Sequence, residues 1–120
     1  MTADVSLEEL RELQIDYLAD VRDKLPLMKK HATDLGAPKR FKTSFPLLLF
    51  LAHQLKGSGA SLGFPRISEL AAAMGEELNL FLDDEAEERR TPKQLSTNVI
   101  ALTDELDRVL KSAESGLGNG

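Results

Sequence analysis

Apolar residues recur at intervals of three and four along most of the chain, the spacing that gathers them on one stripe of an α-helix. The first such run is Leu7, Leu10, Leu13, Tyr17, Leu18, Val21, Leu25 and Met28. Ser6-Leu7-Glu8-Glu9 opens it in the form of a capping box, in which the Ser6 hydroxyl accepts from the Glu9 amide. Pro26 is expected to kink or split this segment, with residues 27–35 continuing it until Gly36-Ala37-Pro38 ends it. Ser44 reads as the N-cap of a second helix with Pro46 in its first turn, running to about Leu62 before Gly63. Pro65 opens a third helix after a very short turn, so the two must form an antiparallel hairpin. Ile67, Leu70, Ala71, Met74 and Leu78 supply its apolar stripe. Thr91-Pro92-Lys93-Gln94 repeats the start signal, and Leu95, Val99, Leu102, Leu106 and Val109 follow it. No stretch alternates with period two, so a sheet is unsupported. The pattern predicts an all-α protein, an antiparallel up-down four-helix bundle.

Composition narrows the chemistry. At 120 residues the chain has the size of one domain, with a core expected over about residues 5–113 and a flexible Gly-rich tail at 114–120. It contains no Cys and 2 His, which removes disulfides and thiolate chemistry and makes a side-chain metal site improbable. A net charge of −5 argues against a nucleic-acid partner, since phosphate affinity needs concentrated Lys and Arg. The longest apolar run, Phe45 to Ala52, is too short to span a bilayer, and the polar start carries no secretory signal. A cytoplasmic protein is expected, and a monomer, because four helices can close their own core. The acidic stretch from Asp83 to Glu88 reads as a solvated connection.

One residue does not fit a plain bundle. At 100° per residue, Leu48, Leu51 and Leu55 define the inner direction of the second helix, and His53 falls about 160° from Leu51 and Leu55. The imidazole must therefore face solvent, together with Leu49, Lys56, Gly57 and Ala60. Two glycines in a helix interior destabilise it by roughly 1 kcal/mol each relative to Ala, so each needs a reason. Gly59 points inward, where a missing side chain lets a neighbouring helix approach. Gly57 points outward beside His53, and a gap there serves a macromolecule that must reach the ring.

The string His53-Gln54-Leu55-Lys56-Gly57-Ser58-Gly59-Ala60-Ser61-Leu62-Gly63 resembles the signature of the histidine-containing phosphotransfer (HPt) family: His, any residue, Leu, Lys, Gly, then small residues and a Gly ten positions past the His. The resemblance extends through Ile67, Leu70, Ala71 and Met74 and covers roughly residues 5–113. Gly59 departs from the Ser or Ala more usual there, and Gly75 from the acidic residue common after the third-helix apolar position. The resemblance implies a phosphocarrier in which His53 accepts a phosphoryl group from the aspartyl phosphate of a response-regulator receiver domain and returns it to another. Such receivers would belong to a histidine kinase or hybrid kinase pathway. An attacking imidazole must be neutral and exposed, and an ordinary imidazole is mostly neutral near pH 7. Lys56 would stabilise charge on the phosphoryl oxygens. The chain would need no cofactor of its own, with Mg2+ expected only on the receiver. It has no nucleotide-binding loop, so an autonomous kinase is not supported.

The expected docking patch comprises Leu49, Gln54, Gly57 and Ala60, with Phe64 and Arg66 at the hairpin. Phe64 has a strong competing reading as a plug at the end of the bundle. Lys39, Arg40 and Lys42 form a basic cluster ahead of the His helix, read as a solvated loop or a steering patch, and His31 is read as a surface residue. The alternative function is a phosphotransfer-inactive bundle that binds receivers or another helical partner.

Overall fold

A computed structural model describes residues 6–83 and 90–118, which form four helices and no strand. Helix α1 spans Leu7–Asp34, α2 Phe41–Ser61, α3 Pro65–Leu82 and α4 Pro92–Gly118. Each packs on its chain neighbour and α4 closes on α1, giving an up-down four-helix bundle. The connection across residues 84–89, which holds most of the acidic stretch, lies outside the described residues.

Helix ends follow local chemistry. The Glu9 amide donates to Ser6 Oγ at 3.1 Å, which begins α1. At α4 the box is reciprocal: the Gln94 amide donates to Thr91 Oγ1 at 3.1 Å, and the Thr91 amide to Gln94 Oε1 at 2.9 Å. Gly63, at φ 87°, takes the left-handed turn between α2 and α3 that a side chain would resist. The Gly59 carbonyl accepts from the Phe64 amide at 2.8 Å and closes that turn.

The core is aliphatic and runs through all four helices. Val21, Met28, Leu48, Leu55, Ile67, Met74, Leu78, Leu95, Val99, Leu106 and Leu110 are fully buried. Phe41, Phe45 and Phe81 pack as an aromatic cluster near the start of α2, with ring centroids 5.1–6.1 Å apart. On the α1–α4 seam the Arg22 guanidinium bridges Asp107, at 2.7 Å, and Glu114.

Several expectations are corrected. α1 is not split at Pro26, because a proline removes a single amide bond and the buried Leu25 and Met28 on either side hold the helix to the core. α2 begins at Phe41, four residues before the expected first turn: Ser44 is no cap, and Pro46 lies inside the helix. Ser44 instead is buried, with its Oγ 3.0 Å from His31 Nδ1. His31 is consequently a core residue, 7% exposed. The α1 stripe does not stay buried to its start, since Leu7, Leu10 and Leu13 are exposed. Gln14 reaches the Leu62 carbonyl at 2.8 Å, so the residues before it pass the α2–α3 turn and have no hairpin to cover them. At the other end of the chain α4 stays helical to Gly118, beyond the expected start of the tail, with Leu117 packed on the core and its carbonyl accepting from Arg11.

Candidate functional site

The site is built on the outer ridge of α2. This helix must touch α1 on one side and α3 on the other, which fixes its rotation. Toward α1, the Ser58 hydroxyl meets the Tyr17 phenol at 3.0 Å and Ser44 meets His31. Toward α3, Gly59 is buried, and a Cβ there would lie 3.0 Å from the Ser68 amide nitrogen and 3.2 Å from the Phe64 carbonyl oxygen. That glycine is what permits the two helix backbones to approach, as its inward register requires. Ser68 Oγ donates to the Lys56 carbonyl at 2.6 Å and ties the hairpin at the level of the site.

With α2 locked at this rotation, His53 faces outward and is exposed, and so are Gln54, Lys56, Gly57 and Ala60. A Cβ on Gly57 would meet nothing within 4 Å, in contrast to Gly59 two residues on. Leu49 is half-buried one turn before His53. The ring borders a depression of about 150 Å³ between α2 and α3, lined by His53, Lys56, Leu49 and Ala52 on one wall and by Ala72, Gly75, Glu76 and Asn79 on the other. A Cβ at Gly75 would also meet nothing within 4 Å, so the departure from an acidic residue there leaves open space beside the imidazole. Glu76 is the carboxylate that lines this depression, while Glu77 points to Arg90 and Asn98, at 3.0 and 2.7 Å. Among the described residues, the side chains of His53, Lys56, Glu76 and Asn79 make no hydrogen bond or ion pair.

Sequence-expected residues thus divide into two groups. His53, Lys56, Leu49, Gln54, Gly57 and Ala60 share one ridge. Phe64 and Arg66 lie beyond the end of α2, at the turn into α3 and in the first turn of α3. Phe64 stacks on Tyr17 with centroids 5.7 Å apart, and Arg66 pairs with Glu69 at 3.3 Å and reaches Glu105 at 4.0 Å. Two further residues lie on or beside the ridge. Lys42 belongs to α2 itself, within about 20° of His53 in rotation, because the helix starts earlier than Ser44. Phe50, one turn before His53 and about 60° from it, is 58% exposed. Its position on the wheel was readable, but an aromatic inside the apolar run from Phe45 to Ala52 passes for core.

An exposed imidazole with a lysine three residues on and a bare glycine four residues on is the arrangement the HPt signature describes, and Gly59, the departure from it, is the glycine packed against α3. The family model of the Hpt domain matches residues 7–112, from the first turn of α1 to the last turns of α4. The chain belongs to the Hpt domain family. Hpt domains serve histidine phosphotransfer in two-component signalling, with response-regulator receiver domains as their partners. No curated protein and no solved structure matches the chain. Among the described residues of this Hpt domain, no three His, Asp or Glu side chains converge as a metal site, and no helix is long and apolar enough to cross a membrane.

Proposed function

We propose that this Hpt domain is a phosphorelay intermediate in which His53 accepts a phosphoryl group from a receiver aspartate and donates it to another. The observation that carries the reading is accessibility: of the 2 histidines in the chain, His31 is buried against Ser44 and His53 stands exposed and unpartnered on the α2 ridge.

In the forward step the lone pair of the unprotonated ring nitrogen attacks phosphorus. The N–P bond forms as the P–O bond to the aspartyl oxygen breaks, and that electron pair leaves with the receiver carboxylate. The proton on the other ring nitrogen stays on the imidazole, to be lost to water according to pH, and the reverse step restores the original pair. Lys56, one turn from His53 and free of any carboxylate, offers its ammonium to the phosphoryl oxygens in both directions. Phosphoryl transfer asks chiefly for positioning, and a rigid α2, held by Gly59 and by the Ser44 and Ser58 contacts, provides it. Gly57 leaves clearance for the incoming receiver.

Mixing the protein with a receiver charged by radiolabelled phosphate tests this. Label should pass to the chain as an acid-labile, base-stable adduct, and His53→Gln should abolish it. Label persisting in that variant refutes the assignment, and stable receiver binding without transfer at any time favours an inactive binding bundle. Lys56→Ala should slow transfer by about tenfold to a hundredfold while leaving the adduct at His53.

A further inference from the structure

Helix α1 carries a second stripe on its outer side, along the seam with α4. Glu8, Glu12, Ile15, Ala19, Arg22 and Pro26 follow one another at intervals of four and three, so they line one edge of the helix over about 27 Å at the helical rise. The middle of this edge is apolar and its flanks are charged. Ile15 is 45% exposed, and Ala19 lies open one turn beyond it. Between them and α4 lies a hollow of about 220 Å³, floored by Leu18 and walled by Leu117 and Glu114. None of these residues borders the depression beside His53.

The stripe matches its own reverse. A two-fold axis crossing α1 at the level of Tyr17 is midway between Ile15 and Ala19 and also midway between Glu12 and Arg22. In an antiparallel pair of α1 helices, the Ile15 of each copy therefore faces the hollow beside the other copy's Ala19, and each Glu12 faces an Arg22. A large side chain meets a small one, and a carboxylate meets a guanidinium. The charges are free to meet: among the described residues Glu12 makes no ion pair. Arg22 spends three of its N–H groups on Asp107 and Glu114, and a guanidinium has five. Lys111, 68% exposed and paired to the same Asp107, adds a second cation at that end, whereas Glu8, Glu9 and Glu12 outnumber Arg11 at the other. A parallel pairing would instead set Glu8 and Glu12 against their own copies. Size and charge that reverse about one point are what an isologous contact requires, and an unrelated partner needs neither.

We propose that the chain forms a two-fold homodimer through this outer α1–α4 face, with Ile15 of each copy seated in the other's hollow and the Glu12–Arg22 pairs on the solvated rim. The contact is independent of the phosphotransfer reading. It uses α1 and α4 and leaves the α2 ridge of both copies open, so one particle presents two His53 rings.

Sedimentation equilibrium of the full chain tests it. The wild type should pass from monomer to dimer with a Kd of about 1–100 μM, the range of a small, partly polar contact. Ile15→Glu should raise that Kd at least about thirtyfold and Glu12→Arg at least about threefold, the latter effect fading with salt. Both positions are exposed in the single chain, so the helical content by circular dichroism should equal that of the wild type. Because the chain contains no Cys, the single variants Ile15→Cys and Ala19→Cys report the register: oxidising their equimolar mixture should yield chiefly the mixed disulfide. A wild type that stays monomeric throughout the range overturns the proposal, as does a dimer unmoved by Ile15→Glu, or like-with-like disulfides exceeding the mixed one. A monomeric wild type whose labelling by a charged receiver needs Ile15 gives the face to the receiver and also overturns the dimer. Dimerisation without any phosphotransfer upholds the face and counts only against the reading of His53.

Discussion

His31 and His53 are the same residue on adjacent helices of one bundle, in opposite conditions. The ring of His31 is enclosed between α1 and α2, with its Nδ1 held by Ser44 and 7% of its surface exposed. That of His53 has no partner in the chain and stands open on the ridge. A buried imidazole must have its polar atoms satisfied or it costs the fold, whereas a nucleophilic imidazole must keep a nitrogen unsatisfied. One ring cannot meet both demands, and the two rings stand in the two conditions: His31 ties α1 to α2, and His53 is presented by the helix thus tied.

That division makes stability and transfer separable by mutation. The largest contrast is expected between His31→Ala and His53→Gln. The former opens a cavity and strands the Ser44 hydroxyl, so urea denaturation should show a loss of about 2–4 kcal/mol. His53→Gln should shift stability by less than about 0.5 kcal/mol while eliminating the label. Equal losses in the two variants would erase the distinction.

The two α2 glycines sharpen it at intermediate scale. Gly59→Ala forces a Cβ to 3.0 Å from a backbone nitrogen of α3, and the hairpin should lose about 1–3 kcal/mol as it moves apart. Gly57→Ala meets open space and removes backbone freedom from the unfolded chain, so it should stabilise the protein by about 0.5–1 kcal/mol. Destabilisation by Gly57→Ala would mean that the ridge is packed against something within the chain.

The smallest effect belongs to the α1–α4 seam, where polar groups are satisfied as fully as His31 is. Its hydrogen bond to Arg22, helped by Lys111 and Lys29, holds the Asp107 carboxyl down at about 2, against an ordinary value of 3.8. Between those values the unfolded chain binds more protons than the folded one, so this contribution is complete above about pH 4 and vanishes as pH falls through about 2. Wild-type and Asp107→Asn proteins should therefore differ slightly in stability at pH 7 and converge in acid, as thermal melts across that range would register. Because the seam is solvent-exposed and screened, the difference should shrink with added salt.

Much of this was legible in the chain. The four helices, the cap at Thr91, the turn at Gly63, the inward Gly59 and the outward His53 all follow from rules that act within one or two turns of helix. What failed depended on neighbours distant in sequence. Ser44 has the composition of a cap, yet α2 starts earlier because His31, thirteen residues back, takes its hydroxyl into the core. Leu7, Leu10 and Leu13 keep the helical stripe after the elements that could cover it have ended. Phe64 stacks on Tyr17, whereas Phe50, inside an apolar run, is left in solvent.

The sequence by itself determined that the chain is helical, where most helices begin and end, and that one histidine is carried on an outward register beside a lysine and a glycine. These are properties of periodicity and capping, set by the local backbone and a side chain's nearest turn. Tertiary structure decided which histidine is enclosed, which aromatic is exposed, and that Gly75 leaves a depression open beside His53. Each depends on how far one helix extends past another and on what lies across the gap, and neither quantity is written in the spacing of residues along a single helix.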